Sequence, residues 1–280
     1  MLKPDDFISI KANWEPKDIN IQNTASEIGL LPESFVFVDD NPAERAIVSS
    51  QLGVCAPPIE SVDDYIKTLD RSGFFETTVF SDDDLKRNQM YEANAKRNRQ
   101  KAKFENYTEY LLSLEMKGEI RDFKTVDLQR ITQLTNKSNQ FNLTTKRFTQ
   151  PQMEEVFESE DHIRLCGRLC DKFGDNGIVS VVIGKINGDT LDIILWLMSC
   201  RVLKREMEYA MLDELVKKSS ERGIKKLRGY YYPTVKNKMV AELYTDFGFE
   251  KISKDENGNA VWELSIDSYE PKNKVIDVKE

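Results

Sequence analysis

The run Phe35-Val36-Phe37-Val38, ended by Asp39-Asp40-Asn41-Pro42, constrains this chain more than any other stretch. Four consecutive apolar residues predict a short buried strand, and Asn41-Pro42 stops it and opens a helix. In an open α/β sheet, ligands lie just beyond the carboxyl ends of strands, where Asp39 and Asp40 fall. Adjacent acids repel unless a cation or a shared proton offsets their charge. Mg²⁺ takes hard carboxylate oxygens and often a substrate phosphate as well, so Asp39 and Asp40 are candidate metal ligands. The same residues also read as a helix cap, with Asp40 or Asn41 as N-cap and Pro42 at the first helical position.

The residues before this strand carry a second signal. Trp14-Glu15-Pro16-Lys17 precedes a helical stretch, Asn20 to Ile28, closed by Gly29 and followed by Pro32. A lysine, a helix, a turn and an acid-tipped strand thus arrive in order. A lysine near phosphate and metal neutralises charge on a transferring phosphoryl group. This order resembles the third and fourth motifs of the haloacid dehalogenase (HAD) superfamily, with Lys17 matching the motif lysine and Lys11 in reserve. The wording from Lys11 to Ile21, then Phe35 to Arg45, is similar to the FkbH-like branch, in which a HAD domain is joined to an acetyltransferase-like domain. HAD phosphatases attack phosphorus with the first Asp of an Asp-x-Asp-x-Thr/Val motif. Nothing before Lys11 offers that pattern, since Asp5-Asp6 follows Pro4 with no apolar strand ahead of it. The expectation is a C-terminal portion of a longer family member, or a HAD half without chemistry.

Composition narrows the class. A length of 280 residues allows two domains with a core in each. No run approaches 18 apolar residues and the N-terminus shows no signal pattern, so a cytoplasmic location and no membrane partner are expected. The net charge of −8 argues against nonspecific nucleic-acid binding. Cys55, Cys166, Cys170 and Cys200 show no paired Cys-x-x-Cys spacing, and the lone His162 excludes chemistry built on several histidines.

The organisation expected is a HAD-like α/β fragment over 1–70, a helical linker over 71–114, an α/β domain with a mixed sheet over 115–268, and a polar tail over 269–280. A second short strand is expected at Leu52 to Ala56. Ser81 with Asp84 suggests a helix cap, and the basic run Lys96 to Lys103 reads as a solvated helix face. In the second half, residues 177–186 are β-rich, Asn187-Gly188 signals a tight hairpin, and Asp189 to Ser199 returns as a strand. Lys204 to Glu221 reads as a helix, Ile224 to Tyr231 as a strand, Asn237 to Phe247 as a helix ended at Gly248, and Val261 to Leu264 as a closing strand.

That order, with Asn237-x6-Tyr244-x2-Phe247-Gly248-Phe249, resembles the GNAT acetyltransferase fold over roughly Glu115 to Ser268. The wording Ile131 to Arg147, Phe173 to Ile178 and Met198 to Leu203 is again similar to FkbH-like proteins. GNAT enzymes hold the coenzyme A pyrophosphate on backbone N–H groups of an Arg/Gln-x-x-Gly-x-Gly/Ala turn, an anion at a helix N-terminus. The matching positions here run Arg201, Val202, Leu203, Lys204, Arg205, Glu206, without either glycine. Lys204 and Arg205 could attract an anion through their side chains, whereas Glu206 opposes one.

Cys200 fits another reaction. It ends a predicted strand beside Arg201 and ahead of a helix N-terminus, both of which favour thiolate. A thiolate accepts acyl groups as a thioester that a second thiol collects. It also reads as a small buried strand residue. The FkbH-like resemblance implies transfer of a glyceryl group from 1,3-bisphosphoglycerate, with loss of phosphate, to an acyl carrier protein in polyketide-like biosynthesis. Two other readings stay open: a CoA-dependent N-acetyltransferase, with acetyl-CoA or a phosphopantetheine arm as ligand, and a non-catalytic scaffold. Asn139, Asn142 and Thr144 lie in a polar run that suits a glyceryl or pantetheine pocket, or an ordinary loop. Asp175, Asn176 and Gly177 form either a site or a turn, and the GNAT resemblance adds Asn237 to the binding candidates. Tyr244 stands where many GNAT enzymes place a general acid, or in the core beside Phe247 and Phe249. Arg201, Lys204 and Arg205 are the expected basic patch for an acidic carrier protein.

Overall fold

The computed structural model describes residues 3–76 and 87–279, divided by backbone proximity into two units, Met1–Ala102 and Lys103–Glu280. In the first unit the strand expected at Phe35–Val38 narrows to one parallel bridge, Val36 to Cys55, with the Phe37 N–H donating to the Cys55 carbonyl at 2.9 Å. The second expected strand, Leu52 to Ala56, survives only as the other half of that bridge. Helix α1 (Lys17–Ile28) begins after Pro16 and stops where Gly29 turns left-handed at φ 73°. Helix α2 (Pro42–Leu52) is capped by Asn41, whose side-chain oxygen accepts from the Ala43 N–H at 2.9 Å. That bond satisfies one of the orphan donors of a helix start. Helices α3 (Asp64–Arg71) and α4 (Arg87–Lys101) complete the unit, and α1 packs on α2 and α4 around Ala25, Ile28 and Val48. The Ser81–Asp84 cap falls outside the described residues, and the helix expected to run on to Leu114 is broken after Lys101.

The second unit is a mixed sheet. Helix α5 (Tyr107–Ser113), capped by the Asn106 side chain, leads into β1 (Met116–Asp122). Helix α6 (Leu128–Lys137), the two-residue β2 (Phe141–Asn142) and helix α7 (Gln150–Glu158) follow. Three long antiparallel strands then run β3 (His162–Asp171), β4 (Gly174–Asn187) and β5 (Thr190–Met198), with Asn187-Gly188 making the expected hairpin. Helix α8 (Met207–Glu221) crosses over to β6 (Lys226–Tyr231), which lies parallel to β5. The short α9 (Leu243–Asp246), β7 (Glu250–Lys254), β8 (Ala260–Ser265) and β9 (Ile276–Lys279) close the unit. Among the described residues the order is β7-β8-β6-β5-β4-β3-β1-β9, with β2 paired to β5.

Both faces of this sheet are covered, which explains the near-continuous apolar run of β5. Trp196 and Met198 face a core with Met207, Met211, Leu215 and Phe247, while Leu195 and Leu197 face Ile131, Leu134 and Met153. Three sequence expectations change here. The helix predicted from Lys204 starts at Met207, because Lys204 (φ 63°) and Glu206 (φ 60°) are left-handed and cannot continue a right-handed helix. The helix predicted over Asn237 to Phe247 splits into a 3₁₀ turn, Lys238–Val240, and α9. The polar tail contains β9, which pairs in parallel with β1 from Met116 opposite Ile276, with Val275 and Ile276 buried.

Candidate functional site

Within the first unit, the start of α1 and the loop before α2 bring Lys17 to Asp39. The Lys17 ammonium donates to Asp39 Oδ2, and the other carboxylate oxygen accepts from the Asn41 N–H at 2.8 Å. Arg45 fixes the loop from below, donating to the carbonyls of Asp39 (2.7 Å), Asp40 (3.0 Å) and Ile59 (2.9 Å). Burial alone would raise the Asp39 pKa. The bonds from Lys17 and Asn41, with the charge of Arg45, hold it below the usual carboxylate range. Lys17, held by that carboxylate, sits above the ordinary lysine value. The sequence-predicted pair thus meets, but as an ion pair. Asp40 is exposed, and among the described residues no three acidic, histidine or cysteine side chains stand together as a metal site. Mg²⁺ is commonly held by one or two carboxylates with water filling its shell. Here Asp39 is already paired with Lys17, so the exposed Asp40 is the one carboxylate of the expected pair left to a cation unless that ion pair opens.

In the second unit the chemistry-bearing residues gather at the end of β5. Ser199 follows the strand, Cys200–Val202 makes a 3₁₀ turn, and the chain enters α8 through the left-handed Lys204 and Glu206. Cys200 is half-buried at this turn. Lys204 and Glu206 occupy the two positions where the GNAT motif carries glycine. The backbone therefore keeps the turn that glycine makes cheap, with side chains that strain it.

Arg205 departs from its expected place on a surface patch. Its side chain is 9 % exposed and points inward, with one guanidinium nitrogen 3.3 Å from Asp171 Oδ2 and 3.4 Å from Asn176 Oδ1. The other nitrogen donates to the Arg201 carbonyl at 2.8 Å. The loop is thereby tied to the β3–β4 hairpin. Tyr107 adds a second tie, its hydroxyl donating to the Lys204 carbonyl at 2.6 Å. A basic docking patch of Arg201, Lys204 and Arg205 loses Arg205, since a buried guanidinium paired with a carboxylate offers no charge to a partner.

The remaining binding candidates are engaged inside the fold. Asp175, Asn176 and Gly177 open β4 rather than forming a free turn. Asp175 takes an ion pair from Arg168 and bonds from the Gly177 N–H (2.8 Å) and the Cys170 thiol (3.2 Å). Although burial pushes upward, these partners hold its carboxyl down at about 2. Asn176 donates to the Leu169 carbonyl at 3.1 Å. Asn139 accepts from Arg147, Thr144 donates to the Ile194 carbonyl at 2.9 Å, and Asn237 donates to the carbonyls of Asn142 and Tyr232, each at 2.9 Å. Asn142 and Asn237 are fully buried. Tyr244 is a core residue, with ring centroids 4.9 Å from Phe249 and 5.4 Å from Trp262. Its hydroxyl is fully buried, and burial pushes its pKa well up, which ill suits a general acid open to substrate.

One residue escaped sequence reasoning. Glu208, in the first turn of α8, has a buried Oε2 atom that finds no hydrogen-bond partner among the described residues. Burial pushes its carboxyl up to about 7, a bond from its own N–H works against the rise, and Glu206 adds to it. An acid in the first turn of a helix is ordinary in a sequence, so nothing marked it.

Coenzyme A phosphates do not fit the turn as it stands. The backbone is left-handed at Lys204 and Glu206, but Glu206 brings negative charge, the Glu208 carboxylate bonds at the helix start, and Arg205 is turned inward.

No family model and no curated protein matches the sequence. Solved structures similar in chain course include the ribosomal-protein-S18-alanine N-acetyltransferase of Escherichia coli, with 14 % identity over 53 % of this chain and 94 % of that one, TM-score 0.42. The PaiA N-acetyltransferase of Thermoplasma acidophilum, solved with coenzyme A, has 18 % identity over 53 % and 99 %, TM-score 0.39. A GNAT-superfamily phosphinothricin acetyltransferase of Sinorhizobium meliloti, solved with acetyl-CoA, has 15 % identity over 57 % and 95 %, TM-score 0.44. The activities and ligands named there belong to those proteins.

Proposed function

We propose that the unit Lys103–Glu280 is an acyltransferase that carries its acyl group on Cys200, taking a glyceryl group from 1,3-bisphosphoglycerate and passing it to the thiol of an acyl carrier protein. The observation that carries this reading is the half-buried Cys200 at the end of a central strand, in a loop tied to the β3–β4 hairpin. The substrate and the carrier protein come from the FkbH-like wording at Met198 to Leu203 and Phe173 to Ile178. In the loading step the Cys200 thiolate adds to the acyl carbon of the mixed anhydride. The carbon–oxygen bond to phosphate breaks, its electron pair leaves with the phosphate, and a thioester remains. In unloading, the carrier thiolate adds to the same carbon, and the bond to the Cys200 sulfur breaks to return the thiolate. No step uses the Lys17–Asp39 pair.

A second reading, CoA-dependent acetyl transfer to an amine, is favoured by the left-handed backbone at Lys204 and Glu206. Intact-protein mass spectrometry separates the two. Incubation with 1,3-bisphosphoglycerate should add one glyceryl group to the wild type and none to Cys200→Ala. Absence of that adduct, together with acetylation of amine substrates by acetyl-CoA, would overturn the first reading in favour of the second.

A further inference from the structure

Strand β2 runs antiparallel to β5, with Phe141 opposite Met198 and Asn142 opposite Leu197. In such a pair the residues before one strand leave the sheet beside the residues after the other. Asn139 and Gln140 therefore leave beside Ser199 and Cys200, at the same end of the sheet. Arg201, whose Nε donates to Ser199 Oγ at 3.3 Å, stands at that end too.

Asn139 brings Arg147 with it. The Arg147 guanidinium donates through Nη2 to Asn139 Oδ1, and through Nη1 to the carbonyls of Thr135 and, at 3.1 Å, Ser138. Thr135 and Ser138 belong to the end of α6, so part of this role is a helix cap, a cation on the negative end of a helix. The cap does not exhaust the group. A guanidinium carries five N–H donors in one plane, and these three bonds leave two, one of them on Nε, without an acceptor among the described residues. Arg121 and Arg168 are paired with Asp127 and Asp175, whereas among the described residues no carboxylate pairs with Arg147. Burial, which lowers its pKa, is the one influence acting on it. Its side chain is exposed, charged and already ordered by three bonds before any ligand arrives, which reduces the entropy lost on binding one.

We infer that Arg147 is a phosphate-binding residue of the Cys200 site, its two uncommitted N–H groups receiving oxygens of the donor's phosphate during loading. A planar fork of donors with a fixed charge matches phosphate oxygens. In loading, the phosphate takes the electron pair of the breaking carbon–oxygen bond, and a preordered cation beside it gains strength as that charge develops. Two groups share this chemistry: the phosphate that departs, and a phosphate ester elsewhere on the donor. The place in loading rests on Cys200 bearing the acyl group, whereas the anion site itself does not.

The test compares the wild type, Arg147→Gln and Asn136→Ala, all as the full chain at constant ionic strength. Asn136 Nδ2 ties α6 to the Phe148 carbonyl at 3.0 Å, so Asn136→Ala loosens the same segment without removing charge. Inorganic phosphate at about 10 mM should raise the Tm of the wild type and Asn136→Ala but not of Arg147→Gln. Acyl labelling of Cys200, followed by intact-protein mass spectrometry, should be about 10- to 100-fold slower in Arg147→Gln, the loss expected for a hydrogen bond to a charged group. Slowing with acetyl phosphate, whose one phosphate departs, assigns Arg147 to the departing group. Slowing with 1,3-bisphosphoglycerate alone assigns it to the distal phosphate ester, and either result supports the inference. Wild-type labelling rates in Arg147→Gln with both donors, or equal slowing in Asn136→Ala, would overturn it and leave Arg147 a helix cap. If neither donor labels the wild type, the Cys200 reading fails by itself. A phosphate-dependent Tm rise lost in Arg147→Gln alone would then keep the anion site, and no rise in the wild type would overturn that as well.

Discussion

Replacing Glu208 with Gln should stabilise the second unit, and the gain should depend on pH. Burial holds this carboxyl at about 7 against its ordinary 4.5. Above pH 7 the folded protein must keep an ionised carboxylate half out of water, while the unfolded chain ionises it freely. The penalty is therefore fully present above the folded value and is relieved as pH falls from 7 toward 4.5, where the folded carboxyl takes up its proton first. That displacement sets a ceiling of ~3 kcal/mol at pH 8, falling below ~1 kcal/mol at pH 5. Gln keeps the shape and can still accept the bond from the residue's own N–H, so Glu208→Gln isolates the charge. Urea unfolding followed by tryptophan fluorescence suits the measurement, because Trp196 and Trp262 are fully buried in this unit whereas Trp14 is exposed in the other. A unit of this size should show a Tm rise of about 2–4 °C for each kcal/mol gained. A variant that is less stable than wild type at pH 8, or a difference that does not change between pH 8 and pH 5, would refute the reasoning.

Three further outcomes are expected. Arg205→Met removes the guanidinium beside the Asp171 carboxylate, whose side chain is 0 % exposed, and should destabilise the second unit by ~3–5 kcal/mol in urea unfolding. Adding Asp171→Asn should recover more than 1 kcal/mol of that loss, and strict additivity of the two changes would argue against the ion pair. Gly229→Ala drives a Cβ into the Tyr244 ring and should lower stability by ~1–3 kcal/mol, whereas Tyr244→Phe, which removes a hydroxyl buried among aromatic rings, should be neutral or stabilising. If Tyr244→Phe instead abolished acyl transfer at full stability, the tyrosine would be a working acid and not only a core ring. Asp39→Asn breaks an ion pair whose lysine is 45 % exposed, so the first unit should lose no more than ~1 kcal/mol at pH 7. The same contribution, carried by a carboxyl held below 3.8, should vanish from the wild type as pH drops through that range, which acid titration by circular dichroism would follow.

Sequence reasoning succeeded where local chemistry decides. Asn187-Gly188 announced its hairpin because left-handed backbone is cheap there, and the apolar run of β5 announced a strand. The nearness of Lys17 to Asp39 followed from the lysine–helix–turn–acid order that resembles the HAD motifs, although the two meet as an ion pair. It failed where distant residues decide. Phe141-Asn142 looked like a polar loop because its partners, Trp196 to Met198 and Tyr232, lie fifty or more positions away. Lys204 and Arg205 looked like the start of a helix because their propensities are good. The turn overrides propensity there, since Tyr107 and the Arg205–Asp171 pair hold the loop in a course those residues would not choose alone.

Strand β9 has a consequence for how the second unit assembles. β1 emerges early in this unit, yet one of its two neighbours, Ile276 to Lys279, is the last strand of the sheet in the chain. Until that strand arrives, one edge of β1 carries unpaired backbone groups, an open template for pairing with other chains. A nascent or shortened polypeptide ending near residue 268 would hold the Cys200 loop and most of the core, and still present this raw edge. Aggregation of such a product would then report a missing border strand and not a missing core. Parallel closure over so long a separation also belongs to the slow, late events of folding, so the whole sheet waits on its final segment.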